Sequence, residues 1–169
     1  LYEVGGTVRD SLLKLQESSK DSDFLVTGIP YQELFSILRK FGRVDVVGKS
    51  FGVIKFSSFD STGDAASQID FALPRREHST GTGHKDFAVN FDHNIPVEDD
   101  LFRRDFTINA IARNVATGEV VDPLNGRRDI EAKIIRYTTA ESFREDPLRM
   151  LRAVQFAARL NFAIEPQTY

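Results

Sequence analysis

Asp21 and Asp23 flank Ser22 at the head of an apolar run, Phe24-Leu25-Val26. Side chains two residues apart in a strand share a face, so these carboxylates would stand together and repel. Two readings are open. One is the exposed start of a strand, which tolerates acids and is the commoner meaning of an isolated Asp-x-Asp. The other is a shared site for one or two Mg²⁺ ions, since hard divalent cations take carboxylate oxygens and turn the repulsion into binding. Upstream, Gly5-Gly6-Thr7-Val8-Arg9-Asp10 reads as a glycine turn feeding a helix, with an arginine one turn in. Free backbone N–H groups and the positive end of the helix dipole favour an anion there, and Arg9 adds a charge-assisted donor. A glycine pair alone marks only a tight turn. Beside metal carboxylates, a phosphate site is the stronger reading.

Arg103-Arg104-Asp105, followed by Thr107 and Asn109, concentrates cations, an acid and an amide where the sugar and phosphates of a nucleotide could be held; it is also compatible with a solvated helix start. Asp146, Arg149 and Arg152 recur every third residue and lie along one side of a helix, with Met150, Leu151 and Val154 marking the apolar side. An Asp-Arg pair on a helix offers an acceptor and donors to a base edge. Equally, Asp146 could serve as a cap and Arg149 as its neutralising partner. Asp70, mid-strand in Gln68-Ile69-Asp70-Phe71-Ala72, is a candidate third carboxylate or a solvent-facing strand residue. His78, His84 and His93 lack metal-ligand spacing and read as loop polarity or RNA-facing groups.

The elements that must position these groups follow from periodicity. Tyr2 to Val4 predicts a strand, and Val8, Leu12, Leu13 and Leu15 a helix after the glycines. Phe24 to Val26 predicts a second strand, and Tyr31, Leu34, Phe35 and Leu38 a helix started by Pro30. Val44 to Val47, Val53 to Phe56 and Ile69 to Leu73 predict further strands. The polar stretch from Arg75 to Asn94 predicts a mobile loop with one short strand near Phe87 to Val89, the best lid candidate in the chain. Phe106 to Ala112 predicts helix, Glu119 to Val121 an extended segment, and Asp122-Pro123-Leu124-Asn125-Gly126 a turn closing a first domain. A last helix is expected to open at Asp146-Pro147, with Asp as cap and Pro in first position.

The 169 residues suffice for one domain or one plus the beginning of another, and 41% hydrophobic residues with 14 Phe can build an ordinary core. Zero cysteines exclude disulfides and thiolate zinc. A formal charge of −3, from 22 Lys and Arg against 25 Asp and Glu, is not that of a domain binding nucleic acid by bulk charge, so any RNA contact must be local. With no apolar run near the roughly 20 residues of a membrane helix and no leader before Leu1, a soluble, cytoplasmic protein is expected. The residues at both ends suggest a fragment of a longer chain.

Taken together these residues resemble the bacterial and eukaryotic-type tRNA nucleotidyltransferase and poly(A) polymerase family. The likeness rests on Gly5-Gly6-Thr7-Val8-Arg9-Asp10, Asp21-Ser22-Asp23, the block from Glu98 to Ala110, Asp122-Pro123 with Gly126, and Glu145-Asp146-Pro147-Leu148-Arg149-Met150-Leu151-Arg152, in order and spacing. Arg76 to His84 also resembles the flexible loop of members that complete CCA. The resemblance implies an α+β fold: a nucleotidyltransferase head of a small mixed sheet with flanking helices over residues 1–126, then the start of an all-helical neck over 127–169. It implies Mg²⁺ on Asp21 and Asp23, the triphosphate on Gly6 and Arg9, and Arg104 on the incoming nucleotide. Asp146 and Arg149 would read ATP or CTP with Arg152 in support, and Asp105 and Asn109 are further candidate contacts. The implied reaction is addition of CMP and AMP to the 3′ end of tRNA, with the tRNA gripped mainly elsewhere. The alternatives are a poly(A) polymerase, an enzyme adding only C or only A, and a non-catalytic nucleotide- or RNA-binding module. One departure stands out: the family often carries another arginine three residues past the position of Arg152, where this chain has Gln155, so an effect on nucleotide affinity is expected.

Overall fold

The computed structural model describes residues 1–15, 22–47, 52–59, 65–79 and 87–168. Its centre is a mixed seven-stranded sheet, assembled from β1 (Tyr2–Val4), β2 (Ser22–Leu25), β3 (Gly42–Val47), β4 (Val53–Phe59), β5 (Ala65–Ala72), β8 (Ala112–Asn114) and β9 (Val120–Val121), in the order β3-β4-β5-β2-β1-β8-β9. Among the described strands of this sheet, β2 and β5 pair in parallel and every other ladder is antiparallel. Helices α1 (Gly6–Leu12), α2 (Tyr31–Leu38), α3 (Val97–Phe102), α4 (Gly126–Ala132), α5 (Ser142–Glu145) and α6 (Leu148–Leu160) flank it. The expected α+β architecture, a mixed sheet with flanking helices, is the observed one.

Two local expectations are corrected. Arg75–Ser79 and Phe87–Phe91 form an antiparallel ribbon, β6 and β7, where the sequence suggested a loop holding one strand. Arg-Arg-Glu-His-Ser has no apolar alternation, so nothing in its pattern marked β6; residues 80–86 lie outside the described set. Phe106 to Ala112 is not a helix. It holds a single 3₁₀ turn, Thr107–Asn109, before running into β8. Phe106, Ile108, Ala110, Ile111 and Ala112 are all fully buried, and Thr107 and Asn109 between them are buried too, so this segment threads the interior instead of presenting one face to solvent.

Among the described residues, three clusters fill the interior. Val26, Leu34, Leu38, Ile54, Phe56 and Leu73 pack α2 on β4 and β5, while Val4, Leu25, Val97, Leu101, Ala110 and Ala112 seat α3. The third joins Val8, Phe106, Ile108, Ile111, Ile130, Ile135, Ala153, Phe156 and Phe162, so apolar packing runs without interruption across position 126. The ring of Phe106 meets Phe143 and Phe156 edge-on at centroid distances of 6.3 and 5.8 Å, contacts each worth about 0.5–1.5 kcal/mol beyond buried area. After α4, the short strands β10 (Ile134–Ile135) and β11 (Ala163–Ile164) pair in parallel around α5 and α6, so this segment is not made of helices alone.

The turn at 122–126 starts α4. Asp122 accepts from Gly126 N–H at 2.7 Å and Arg127 N–H at 3.0 Å, satisfying the helix's first free donors. A Cβ on Gly126 would stand 2.1 Å from the Thr107 carbonyl oxygen. Gly126→Ala is therefore expected to destabilise the protein by about 2–3 kcal/mol through overpacking, read as a fall of about 5–10 °C in thermal midpoint. An unchanged midpoint would show that α4 and the 107–109 turn separate at little cost.

Candidate nucleotide-binding site

Strand β2 presents Asp23, exposed, in register with Asp70 of β5. Register partners on adjacent parallel strands point to the same face, so the two carboxylates stand side by side. Lys55 Nζ lies 3.3 Å from Asp70 Oδ1, seating a cation against this acid. Asp21, the other proposed metal ligand, lies outside the described residues.

Next to β2, β1 ends in the glycine turn. Gly5 takes φ 69° and ψ −130°, a conformation essentially restricted to glycine, and a Cβ there would meet Arg104 Nη1 at 3.0 Å. The turn and Arg104 are thus packed against each other. Arg104 follows α3, which starts after Pro96 and carries Glu98, Asp99 and Asp100 in its first turn, where the dipole favours acids. Asp100 is fully buried. Its Oδ1 accepts from Arg103 Nε at 2.8 Å and from Arg75 N–H at 3.2 Å, and its Oδ2 accepts from Arg104 Nη2 at 3.1 Å. Arg104 Nε is buried without a hydrogen-bond partner among the described residues, a donor available to a ligand.

Helix α6 supplies the opposite wall. Asp146 is extended and accepts from Leu148 N–H at 3.0 Å, satisfying the first backbone donor of the helix, with Pro147 immediately before it, so the helix opens at Asp146-Pro147 as its sequence implied. Arg149, 9% exposed, donates from Nη1 to Ser142 Oγ at 2.8 Å and from Nη2 to the Arg103 carbonyl at 2.9 Å, which fixes its guanidinium plane. The outer face of α6 corrects another expectation: Leu148, Met150, Leu151 and Val154 are 50, 51, 69 and 61% exposed. The inward side carries Arg149, Ala153 and Phe156 because it covers a charged cleft as well as the core. Gln155 lies on the exposed side of the helix.

Arg75, Arg103, Arg104, Asp105, Asp146, Arg149 and Arg152 together line a cleft of about 300 Å³. Among the described lining residues five guanidiniums stand against two carboxylates, and with Asp100 buried behind Arg103 and Arg104 the cleft is still net positive in a protein whose net charge is negative. Arg9, by contrast, is 2% exposed: it donates from Nε to Asp10 Oδ1 at 2.8 Å and from Nη1 to Asn109 Oδ1 at 2.6 Å, and its guanidinium lies 5.1 Å from the Phe156 ring centroid. Asn109 Nδ2 donates to Asp105 Oδ1 at 3.0 Å, and Asp105 Oδ2 accepts from Arg152 Nε at 2.8 Å. Thr107 turns away from the cleft to donate to Asp129 Oδ2 at 2.7 Å. The hydrogen bond from Arg136 to Asp129 holds that guanidinium more firmly protonated than usual. Sequence reasoning missed Asp100 and Arg75. Asp100 could have been found, since Arg103 and Arg104 follow it at the spacings that meet on a helix; Arg75 carried no such signal.

The sequence and fold match a known family. Residues 1–136 match the model of the poly A polymerase head domain, and the chain belongs to that family. It is 40% identical to the multifunctional CCA protein of Haemophilus ducreyi and 41% identical to the CCA-adding enzyme of Blochmanniella pennsylvanica, in each case over 99% of this chain and 38% of the relative. Among solved structures it resembles the Bacillus stearothermophilus CCA-adding enzyme in complex with CTP, with TM-score 0.78 and 35% identity over 99% of this chain and 37% of that one. It also resembles a tRNA nucleotidyltransferase complexed with a primer tRNA and an incoming ATP analog, with TM-score 0.76 and 34% identity over 99% and 44%. The chain thus spans well under half the length of these relatives.

Proposed function

We propose that this chain is the nucleotide-binding and catalytic head of an enzyme that adds CMP and AMP, from CTP and ATP, to the 3′ end of tRNA. The observation that carries the reading is the electropositive cleft lined by Arg103 and Arg104 after α3 and by Asp146, Arg149 and Arg152 at α6, with the Gly5 turn packed against Arg104. In the reaction the RNA 3′-oxygen bonds to the α-phosphorus, the bond to pyrophosphate breaks, and the hydroxyl proton passes to solvent. Arg104 and the glycine turn hold the triphosphate, where the unpartnered Arg104 Nε offers a donor. Hard oxygen donors on one face suit Mg²⁺, so Asp21 and Asp23 would hold it with Asp70 alongside. Bound there, Mg²⁺ supplies charge neutralisation of the triphosphate and favours ionisation of the attacking hydroxyl. Arg9, buried and bonded to Asp10 and Asn109, supports the turn from behind.

Cytosine and adenine each present an amino donor beside a ring-nitrogen acceptor, whereas uracil and guanine present a carbonyl and an N–H there. A fixed carboxylate on Asp146 and a fixed guanidinium on Arg149 complement the first pair. Asp146→Ala is expected to lower preference for CTP over UTP by about tenfold or more; equilibrium binding of the four nucleotides checks it, and undiminished discrimination would make the cap purely structural. The reaction itself is tested by extending a labelled tRNA lacking its 3′ end, using the complete protein with Mg²⁺ and CTP plus ATP. Addition of C, C and A is expected. A long A tail would make the protein a poly(A) polymerase, and tight nucleotide binding without extension a non-catalytic module.

A further inference from the structure

The geometry points to Asn109 as a positioning residue that couples the glycine turn to the base-reading helix, an inference that rests on the function proposed above. Asn109 is 6% exposed and sits beneath the cleft rather than in its wall. Its neighbours dictate its orientation: arginine only donates and a carboxylate only accepts. Its Oδ1 must face Arg9 and its Nδ2 must face Asp105, as observed at 2.6 and 3.0 Å. Asp105 then fixes Arg152 through Nε at 2.8 Å and Nη2 at 2.7 Å. The amide is thus the splice in a chain from Asp10 through Arg9, Asn109 and Asp105 to Arg152. Phe156 braces both ends, its ring centroid lying 5.1 Å from the Arg9 guanidinium and 5.2 Å from that of Arg152. Only a side chain with an acceptor on one side and a donor on the other joins these two half-chains. Through it, α1 behind the triphosphate turn and α6 beside the base hold one spacing.

The two halves can be separated. Asn109→Asp keeps an acceptor for Arg9 but loses the donor to Asp105 and sets two carboxylates against each other, so the α6 end alone is released. Asn109→Leu, of similar size, releases both ends. In the complete protein, calorimetric binding of tripolyphosphate, CTP and UTP is the readout, with thermal unfolding to confirm that each variant is folded. Asn109→Asp is expected to bind tripolyphosphate like the parent yet lose about tenfold in CTP-over-UTP preference, while Asn109→Leu weakens tripolyphosphate as well. If Asn109→Asp weakened all three ligands in equal proportion, or left the preference intact, Asn109 would be structural and the coupling would fall. A parent protein that bound CTP and UTP alike would remove the base-reading role, and this inference with it.

Discussion

Asp23→Ala is expected to reduce nucleotide incorporation about a thousandfold or more while the protein stays folded. The carboxylate is exposed on β2 beside Asp70, so its loss leaves the core untouched and should change stability by no more than about 0.5 kcal/mol. The reaction, in contrast, loses a hard oxygen ligand where negative charge must be offset, an effect of several kcal/mol on the barrier. Single-nucleotide incorporation with CTP, alongside a thermal unfolding curve, separates the two. Parent-like turnover would remove Asp23 from the site, and a collapsed unfolding curve would make it a structural acid. Asp21→Ala is expected to behave in the same way.

Asp100→Ala is expected to have the largest effect on stability. A fully buried carboxylate collects Arg103, Arg104 and the Arg75 N–H. Removing it leaves two guanidiniums, about 20% exposed, without their shared counter-charge at the mouth of an already electropositive cleft. Loss of one partner from such a buried pair costs about 3–5 kcal/mol, so a midpoint lower by about 10 °C is expected. The chemistry adds a distinctive signature: tripolyphosphate or another polyanion should restore part of the lost midpoint, because it can replace the missing negative charge. A variant as stable as the parent, and no more responsive to polyanions, would show that the arginines find other partners.

Much of the sheet was legible because its strands are short β-branched and aromatic runs between glycines and polar residues, and Pro30 and Asp146-Pro147 mark helix starts by mechanism. The local conformations at candidate site residues were legible for the same reason: the turn at Gly5, the strand at Asp23 and the helix start at Asp146. What escaped was set by tertiary contacts. Helix α3 was hidden by its acids, which look like solvated surface until Asp100 is seen buried under Arg103 and Arg104. The 106–112 segment has helical-looking apolar spacing but is buried on all sides, so its periodicity carried no information about its conformation. On α6 the apolar stripe pointed the wrong way: Arg149 is covered by Ser142 and the Arg103 carbonyl, a partnership between residues distant in sequence. Arg9 likewise shows only its charge in the sequence, whereas its burial and its hydrogen bonds to Asp10 and Asn109 depend on the fold.

The parallel ladder between β2 and β5 makes the pairing of the two neighbouring acids insensitive to length changes in the chain that connects them, but sensitive to changes within the strands. Strands β3 and β4 lie between them in the chain but not between them in the sheet. Extra residues in the connections on that excursion lengthen loops, at about 0.6 kcal/mol for each doubling of length, and leave the pairing of Asp23 with Asp70 where it is. A single residue inserted inside either strand would instead rotate one carboxylate to the opposite face. Length can change between these strands without disturbing the acid pair, whereas the residue count within them must hold.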